Sequence, residues 1–325
     1  MTQTRRNFIS QLATITVLPV VPLVGSSEAA AASASIGESY KGKNKVGFNL
    51  LLWTASVSEK MKPLAERLKT IGYDGIEVAM GESNTKPYVE FGKYLKGMEL
   101  EVCTVLALGK DEDPISESAA IRKKAVEKLK WAVDRANDLG AQNICGPFHS
   151  AFANFSRKPP SEDEYKRSAE VLHEAGEYAA MSNVVFTAEA INRFECYLCN
   201  TISQLSKLVK MADHPNIRPM FDTHHANIEE KNFEDTIKSI KGSLAHVHIS
   251  ENDRGTPGDG HVQWDSVFAA LAQVGYNGWL TIEAFSRNDV DFANSINVWR
   301  EYNQPWDIAT NGLAFIKKMQ AKYSL

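Results

Sequence analysis

The chain has 325 residues, 43% of them hydrophobic and 23% charged, with a formal net charge of −4 and a pI near 6.1. That is ordinary globular composition, enough for one large barrel or two average domains. The acidic balance supplies no basic field for nucleic acid or an anionic membrane. Four cysteines are too few for a disulfide scaffold at this length.

The chain opens with Thr4-Arg5-Arg6-Asn7-Phe8-Ile9-Ser10, two arginines just ahead of an apolar stretch. That stretch, Phe8 to Val24, is interrupted by Pro19 and Pro22 and is short and broken for a membrane span of about 20 residues. Small residues follow between Glu28 and Ser35. Charge, apolar core and small-residue tail come in the order of a twin-arginine export signal. The expectation is that residues 1–35 are cleaved by way of the twin-arginine export machinery. This leaves residues 36–325 as the mature domain, periplasmic or exported, with no stable membrane span. An uncleaved anchor is the competing reading.

From there one rhythm runs to the end. Apolar strand candidates are Val46–Trp53, Gly75–Met80, Val102–Leu108, Asn143–Phe148, Val184–Ile191, Ile217–His225, Leu244–Glu251 and Gly278–Phe285. Many are short and β-branched at their centres, as strands covered on both faces should be. Helical patterns fall between them at Ser58–Ile71, Ala119–Leu139, Ser161–Met181, Ile202–Ala212, Phe233–Ile240 and Trp264–Val274. The phrases Ile71-Gly-Tyr-Asp-Gly, Leu139-Gly-Ala-Gln and Val274-Gly-Tyr-Asn-Gly recur at the helix-to-strand joints and read as turns with glycine at the helix end. No GxGxxG or GxxxxGK[ST] follows an early strand, which weakens a nucleotide-binding open sheet. The expectation is an α/β chain folded as a single-domain (β/α)8 TIM barrel.

In such a barrel the active site lies at the C-terminal strand ends. The last four strands each carry an acid or a histidine there: Glu189 on the fifth, Asp222 on the sixth, His248 on the seventh beside Ser250 and Glu251, and Glu283 on the eighth. A charge on an apolar strand is costly unless it is paired or bound to metal. Four separate buried ion pairs would explain any one of them. Four adjacent strands together favour a metal site. Three carboxylates and one imidazole suit a single divalent ion, Mn²⁺ first, with Co²⁺, Mg²⁺ or Fe²⁺ close behind, and zinc accepts the same donors. His246 shares the strand face of His248 and should lie deeper. Cys196-Tyr-Leu-Cys199 is a lone CxxC, either a redox pair, half a zinc site, or two small buried residues beside a functional strand end.

These residues also carry a family resemblance. Glu189-Ala-Ile-Asn-Arg-Phe-Glu195 with Tyr197, Asn200 and Thr201 resembles the signature of the D-tagatose 3-epimerase/D-allulose (psicose) 3-epimerase family. So do Phe221-Asp222-Thr223-His224-His225-Ala-Asn227-Ile-Glu-Glu230, His246-Val-His248 with Glu251 and Arg254, and Ile282-Glu283. Asn49-Leu-Leu-Leu-Trp53-Thr is similar to the same group. The similarity spans about residues 45 to 320 and is specific in its second half. Its first half supports the wider xylose-isomerase-like sugar isomerase/epimerase superfamily. The resemblance implies metal ligands at Glu189, Asp222, His248 and Glu283, and substrate-oxygen contacts from Glu195, His225 and Arg254. It also implies a homo-oligomer. Three features depart from the family: the loop Gly146 to Phe155, Ala284 where the family has proline, and the export signal.

The implied reaction is metal-dependent 3-epimerisation of a ketose, with Glu189 and Glu283 alternating as base and acid on opposite faces of C3 through a metal-bound enediolate. The alternative is another enzyme of the superfamily: a sugar or hydroxypyruvate isomerase, an inosose isomerase or dehydratase, or an enzyme acting on 3-keto-glycosides. Two readings from other classes are a DNA-repair nuclease like endonuclease IV, which the acidic balance opposes, and a non-catalytic sugar-binding protein.

Overall fold

The computed structural model describes residues 42–81 and 84–325, so the segment read as an export signal lies outside the described residues. Eight parallel strands close in chain order: β1 (Val46–Asn49), β2 (Gly75–Ala79), β3 (Glu101–Val105), β4 (Asn143–Gly146), β5 (Val185–Ala188), β6 (Ile217–Asp222), β7 (His246–Ile249) and β8 (Leu280–Ile282). The closing pair joins β8 to β1, with Val46 opposite Leu280. Helices separate them: α1 (Met61–Ile71), α2 (Lys86–Gly97), α3 (Ala119–Leu139), α4 (Glu162–Ala180) and α5 (Ile202–Ala212). Then come α6 (Thr223–Glu229) and α7 (Phe233–Ser239), α8 (Trp264–Val274), α9 (Val290–Ser295) and α10 (Pro305–Tyr323). This is the single-domain (β/α)8 barrel that the alternation predicts. Among the described residues no helix is long and apolar enough to cross a membrane.

Two faces of each strand do different work, because side chains alternate with period two. Val46, Phe48, Ile76, Val78, Ile144, Phe186, Phe221, Val247, Ile249, Leu280 and Ile282 join the large apolar cluster shared with the helices. Most of the alternate positions are small or polar, among them Asn49, Glu77, Cys145, Thr187, His246, His248 and Thr281, all buried, while Val105 and Met220 belong to a second, smaller apolar cluster. The apolar layer between strands and helices therefore holds the barrel shut. The interior departs from the usual filling of branched aliphatics.

Strands end sooner than their apolar runs suggest, and local hydrogen bonds say why. Pairing in β1 stops at Asn49, whose Oδ1 accepts the Leu51 N–H at 2.9 Å and turns Leu50–Leu52 into a 3-10 coil. Strand β6 stops at Asp222, whose Oδ1 accepts the N–H groups of His224 (2.6 Å) and His225 (3.0 Å). That carboxylate starts α6 at once, a helix the sequence reading had absorbed into the strand. Helices α2 and α10 were also not singled out. In α2 the buried Tyr88, Phe91, Gly92 and Leu95 have helical spacing. Gly72, Gly140 and Gly275 end α1, α3 and α8 with positive φ, as the repeated turns predict.

Helix α2 crosses the end of α3 at Gly92, where a Cβ would lie 2.1 Å from the Asp138 carbonyl oxygen and 2.8 Å from Leu139 Cα. In an open helix, Gly→Ala gains about 1 kcal/mol. Overpacking against backbone costs about 1–3 kcal/mol. Gly92→Ala should therefore lose stability, by about 2 kcal/mol at the severe end of that range. Urea denaturation checks the sign, and a stabilised variant would contradict the close approach.

Candidate metal centre

Strands β5 to β8 bring Glu189, Asp222, His248 and Glu283 to one point at the C-terminal end of the barrel. A donor atom from each lies within 4.8 Å of the others, and all four residues are buried. The register sets this directly, since Asp222 is opposite His248 in the β6–β7 pair. His248 Nδ1 stands 3.4 Å from Asp222 Oδ2, 3.5 Å from Glu283 Oε2 and 3.8 Å from Glu189 Oε1. Glu189 Oε1 and His248 Nδ1 are among the few buried polar atoms with no hydrogen-bond partner. Buried polar atoms are normally paired. Two unpartnered donors facing each other beside two more carboxylates are the arrangement that a divalent cation completes. Three hard oxygens and one imidazole fit such an ion.

The electrostatics agree. Two carboxylates about 4 Å apart repel by about 4 kcal/mol at an effective dielectric of about 20. Burial, together with Glu283 and Asp222, holds the Glu189 carboxyl well above the usual carboxylate range, against the pull of His248. For His248, burial favours the neutral ring. The acids Glu77 and Glu283 outweigh it and raise the imidazole well above its ordinary value. Asp222 goes the other way. Burial would raise it, but the Arg254 guanidinium beside it, with His225, holds it well below the usual range.

Arg254 comes from the connection after β7. Its Nη1 donates to Glu283 Oε2 at 2.7 Å and to Ser250 Oγ at 2.8 Å, and lies 3.4 Å from Asp222 Oδ2. Its Nη2 lies 2.9 Å from His225 Nε2. A guanidinium only donates, so that nitrogen accepts and the ring is neutral, in line with the burial that pushes His225 well below its ordinary value. His225 Nε2 is also 3.7 Å from Glu189 Oε1. Asn192 Nδ2 donates to Glu195 Oε1 at 2.7 Å and lies 3.0 Å from His225 Nδ1. The structure thus gathers Glu195, His225 and Arg254 into one continuous cluster with the four positions expected from the sequence to hold a metal: Glu189, Asp222, His248 and Glu283.

The loop that carries Arg254 is fixed by Glu251. One carboxylate oxygen accepts the N–H groups of Asn252 and Val262, and the other accepts Gly258 N–H and Trp264 Nε1–H, all between 2.8 and 3.1 Å. Arg254 itself has a left-handed backbone, φ 65°. Other residues of the sequence signature also hold loops. Asn200 Nδ2 donates to the carbonyls of Ile191 and Cys196, and Thr201 caps α5. His224 is pushed down to about 4 by burial and lies against the Glu251 carbonyl, Nδ1 to oxygen 3.1 Å. Cys196 and Cys199 are buried free thiols.

Two residues at the centre are given no site role by the sequence, although Asn49 stands in one of the family-like motifs. Glu77 on β2 and Asn49 on β1 are wholly buried and hydrogen-bonded to each other at 2.8 Å. His246 lies behind His248, its Nε2 2.9 Å from Glu77 Oε2. His149, whose Nε2 is 2.9 Å from the Glu189 carbonyl, supports that strand end from below. It is held down to about 4 by burial. A wide cleft of about 1040 Å³, lined by Lys45, Lys96, Glu99 and Arg218 among others, opens at the opposite, N-terminal end of the strands. Size alone would favour it. The converging donors assign the chemistry to the other end.

Comparison with known proteins gives a consistent picture. A family model described as the xylose isomerase-like TIM barrel matches residues 65–319. An L-ribulose 3-epimerase of Methylomonas sp. is 31% identical over 277 residues, covering 84% of this chain and 96% of that one. A D-psicose 3-epimerase of Agrobacterium fabrum is 28% identical, covering 83% and 97%. Among solved structures, a D-allulose 3-epimerase from Methylomonas sp. in complex with D-allulose superposes with a TM-score of 0.80 at 29% identity, covering 86% of this chain and 98% of that one.

Without an ion, the protonated forms of Glu189 and His248 are both favoured, Glu189 by burial and His248 by the acids around it. A cation needs those lone pairs, so ion and proton compete and affinity rises with pH. Calorimetric titration with Mn²⁺ near neutral pH, in buffers of different ionisation enthalpy, should report net proton release and weaker binding as pH falls. Binding without proton release would contradict the upward shifts of Glu189 and His248.

Proposed function

Since the chain belongs to the xylose isomerase-like TIM barrel family, we propose that it is a metal-dependent ketose 3-epimerase, acting on sugars of the D-allulose, D-tagatose or L-ribulose type. The observation that carries this is the meeting of Glu189, Asp222, His248 and Glu283, with two unpartnered buried donor atoms among them. Relatives named as 3-epimerases of such ketoses, matched over nearly their whole length, point to the same chemistry.

These four side chains would hold one divalent ion, Mn²⁺ by our reading of the donor set. The ion would supply Lewis acidity, drawing electrons from the C2 carbonyl and offsetting charge that develops on the substrate oxygens. The remaining work falls to the chain. Epimerisation at C3 breaks one C–H bond and forms another on the opposite face. It needs one carboxylate to take the proton and another to return one. Glu189 and Glu283 fill these roles. Burial favours the protonated form of Glu189. Glu283 is oriented by Arg254 at 2.7 Å and Asn49 at 3.1 Å. After one turnover the two have exchanged protonation states, and the reverse reaction or exchange with solvent resets them. Arg254, His225 and Glu195 present donors and acceptors to the oxygens at C1 to C3, and the buried setting keeps bulk water from the reacting carbon.

We further propose export by the twin-arginine route to the periplasm, supported by Arg5-Arg6, the apolar run to Val24 and the small residues to Ser35. A homo-oligomer is part of the same reading. Phe155, Phe194, Ile228, Val290 and Trp299 are exposed large apolar residues, and all lie on connections leaving the C-terminal strand ends. Light scattering on the mature protein should give a mass above that of one chain.

The central test is proton exchange. In deuterated water, NMR should show deuterium entering C3 of D-allulose, D-tagatose or L-ribulose as the epimer forms. Glu283→Gln should slow this by about 10²- to 10⁴-fold, the range of a lost acid–base group, with an unchanged circular dichroism spectrum. Full activity in that variant would sink the two-carboxylate scheme. Turnover confined to 3-keto-glycosides would move the enzyme to another substrate within the superfamily.

A further inference from the structure

Glu77 lies below the four converging side chains, with no solvent exposure. Its Oε1 accepts from Asn49 Nδ2 at 2.8 Å and faces His248 Nε2 at 2.9 Å. Its Oε2 accepts from Cys145 Sγ at 3.2 Å and lies 2.9 Å from His246 Nε2. The same Asn49 nitrogen donates to Glu283 Oε1 at 3.1 Å. The orientation of that amide is not free. Asn49 Oδ1 is taken by the Leu51 N–H, so both amide hydrogens must go to the two carboxylates. The sheet builds this bridge, since Asn49 and Glu77 are direct partners in the β1–β2 register.

We propose that Glu77 is a positioning residue for the metal centre. It fixes His248 in the tautomer whose Nδ1 lone pair faces Glu189, Asp222 and Glu283, and through Asn49 it ties that ring to Glu283. The proposal rests on the reading above in one respect, that these four side chains hold a cation. The reasoning is stereochemical. An ionised carboxylate only accepts, so the imidazole nitrogen that faces it carries the hydrogen, and in a neutral ring the lone pair is then at the other nitrogen. Without Glu77, His248 could flip or exchange tautomers and present an N–H to the three carboxylates. A carboxylate behind a metal-binding histidine raises ligand basicity and holds ring direction, and its loss costs about 10- to 100-fold in metal affinity or activity. Asn49 extends this hold to Glu283, which both faces the ion's position and transfers a proton. Loss of Glu77 should act mainly on ion binding, whereas loss of Asn49 should act on binding and on turnover together.

The test is Mn²⁺ binding to the metal-free protein by calorimetry, with turnover measured separately at saturating Mn²⁺. Glu77→Gln should weaken Mn²⁺ binding by about 10- to 100-fold, and Glu77→Asp, which keeps the charge, should recover part of it. Asn49→Ala, which frees the metal-holding carboxylate of Glu283, should both weaken Mn²⁺ binding and lower kcat at saturating Mn²⁺. In wild-type protein loaded with diamagnetic Mg²⁺, histidine ¹⁵N shifts should show His248 protonated at Nε2 and unprotonated at Nδ1. That measurement decides the matter even where a variant does not fold. Wild-type affinity in Glu77→Gln, or a proton on Nδ1 of His248, overturns the proposal and leaves the epimerase reading standing. Failure of wild-type protein to bind Mn²⁺ or Mg²⁺ at all removes both.

Discussion

Mutual repulsion among acids in a dry barrel is the constraint that the rest of this structure answers. Glu77, Glu189, Asp222 and Glu283 are all buried, and pairs at such distances cost several kcal/mol unless their charge is compensated. The fold meets this cost in three ways. Arg254 reaches in from the β7 connection to Glu283 and Asp222. His248 sits between Glu77 below and the three acids above. The upward shifts of Glu189 and His248 favour protons there, which lessen the remaining negative charge when no cation is present. The loop bound by Glu251, the helix capped by Asp222 and the amide of Asn49 all keep these charges in register.

Such an interior sacrifices ordinary packing. A barrel core of branched aliphatics would contribute apolar burial on both faces of each strand. Here the outer face does that almost alone, through the layer that joins strands to helices. Inside, hydrogen bonds give direction in place of apolar burial. A fully satisfied buried network is rigid, and a partly satisfied one is costly. The unsatisfied atoms at its upper edge, Glu189 Oε1 and His248 Nδ1, mark where an outside partner would enter the network.

Much of this was legible in the sequence, for a physical reason. Glu189, Asp222, His248 and Glu283 each follow an apolar strand, and a barrel rule turns strand ends into one site. The alternation of short β-branched runs with amphipathic segments likewise fixed the closed barrel. Glu77 was harder to see. It stands in mid-strand within Gly-Ile-Glu-Val-Ala, and its partner His248 is 171 positions away. The strand-end rule was applied to the last four strands and not to β2. The signal was nonetheless present, since one acid in an apolar strand is as costly there as on β5. Asn49 carries no charge and gave no such signal. Only the register of β1 against β2 exposes its role. Strand lengths were overestimated where side chains, the amide of Asn49 and the carboxylate of Asp222, redirect the backbone before the apolar run is over.

Arg254 shows a local backbone strain held in place by charge. Its backbone occupies the left-handed region at φ 65°, which costs a side chain with a Cβ about 1–2 kcal/mol. Glycine would relieve that strain but would remove the guanidinium that faces Glu283, Asp222 and His225. The buried charge of Glu283 and Asp222 would then stand uncompensated, a loss of about 3–5 kcal/mol that exceeds the strain relieved. Heat tolerance and catalysis therefore both hold arginine at position 254, and a population screened for soluble expression alone would keep it too.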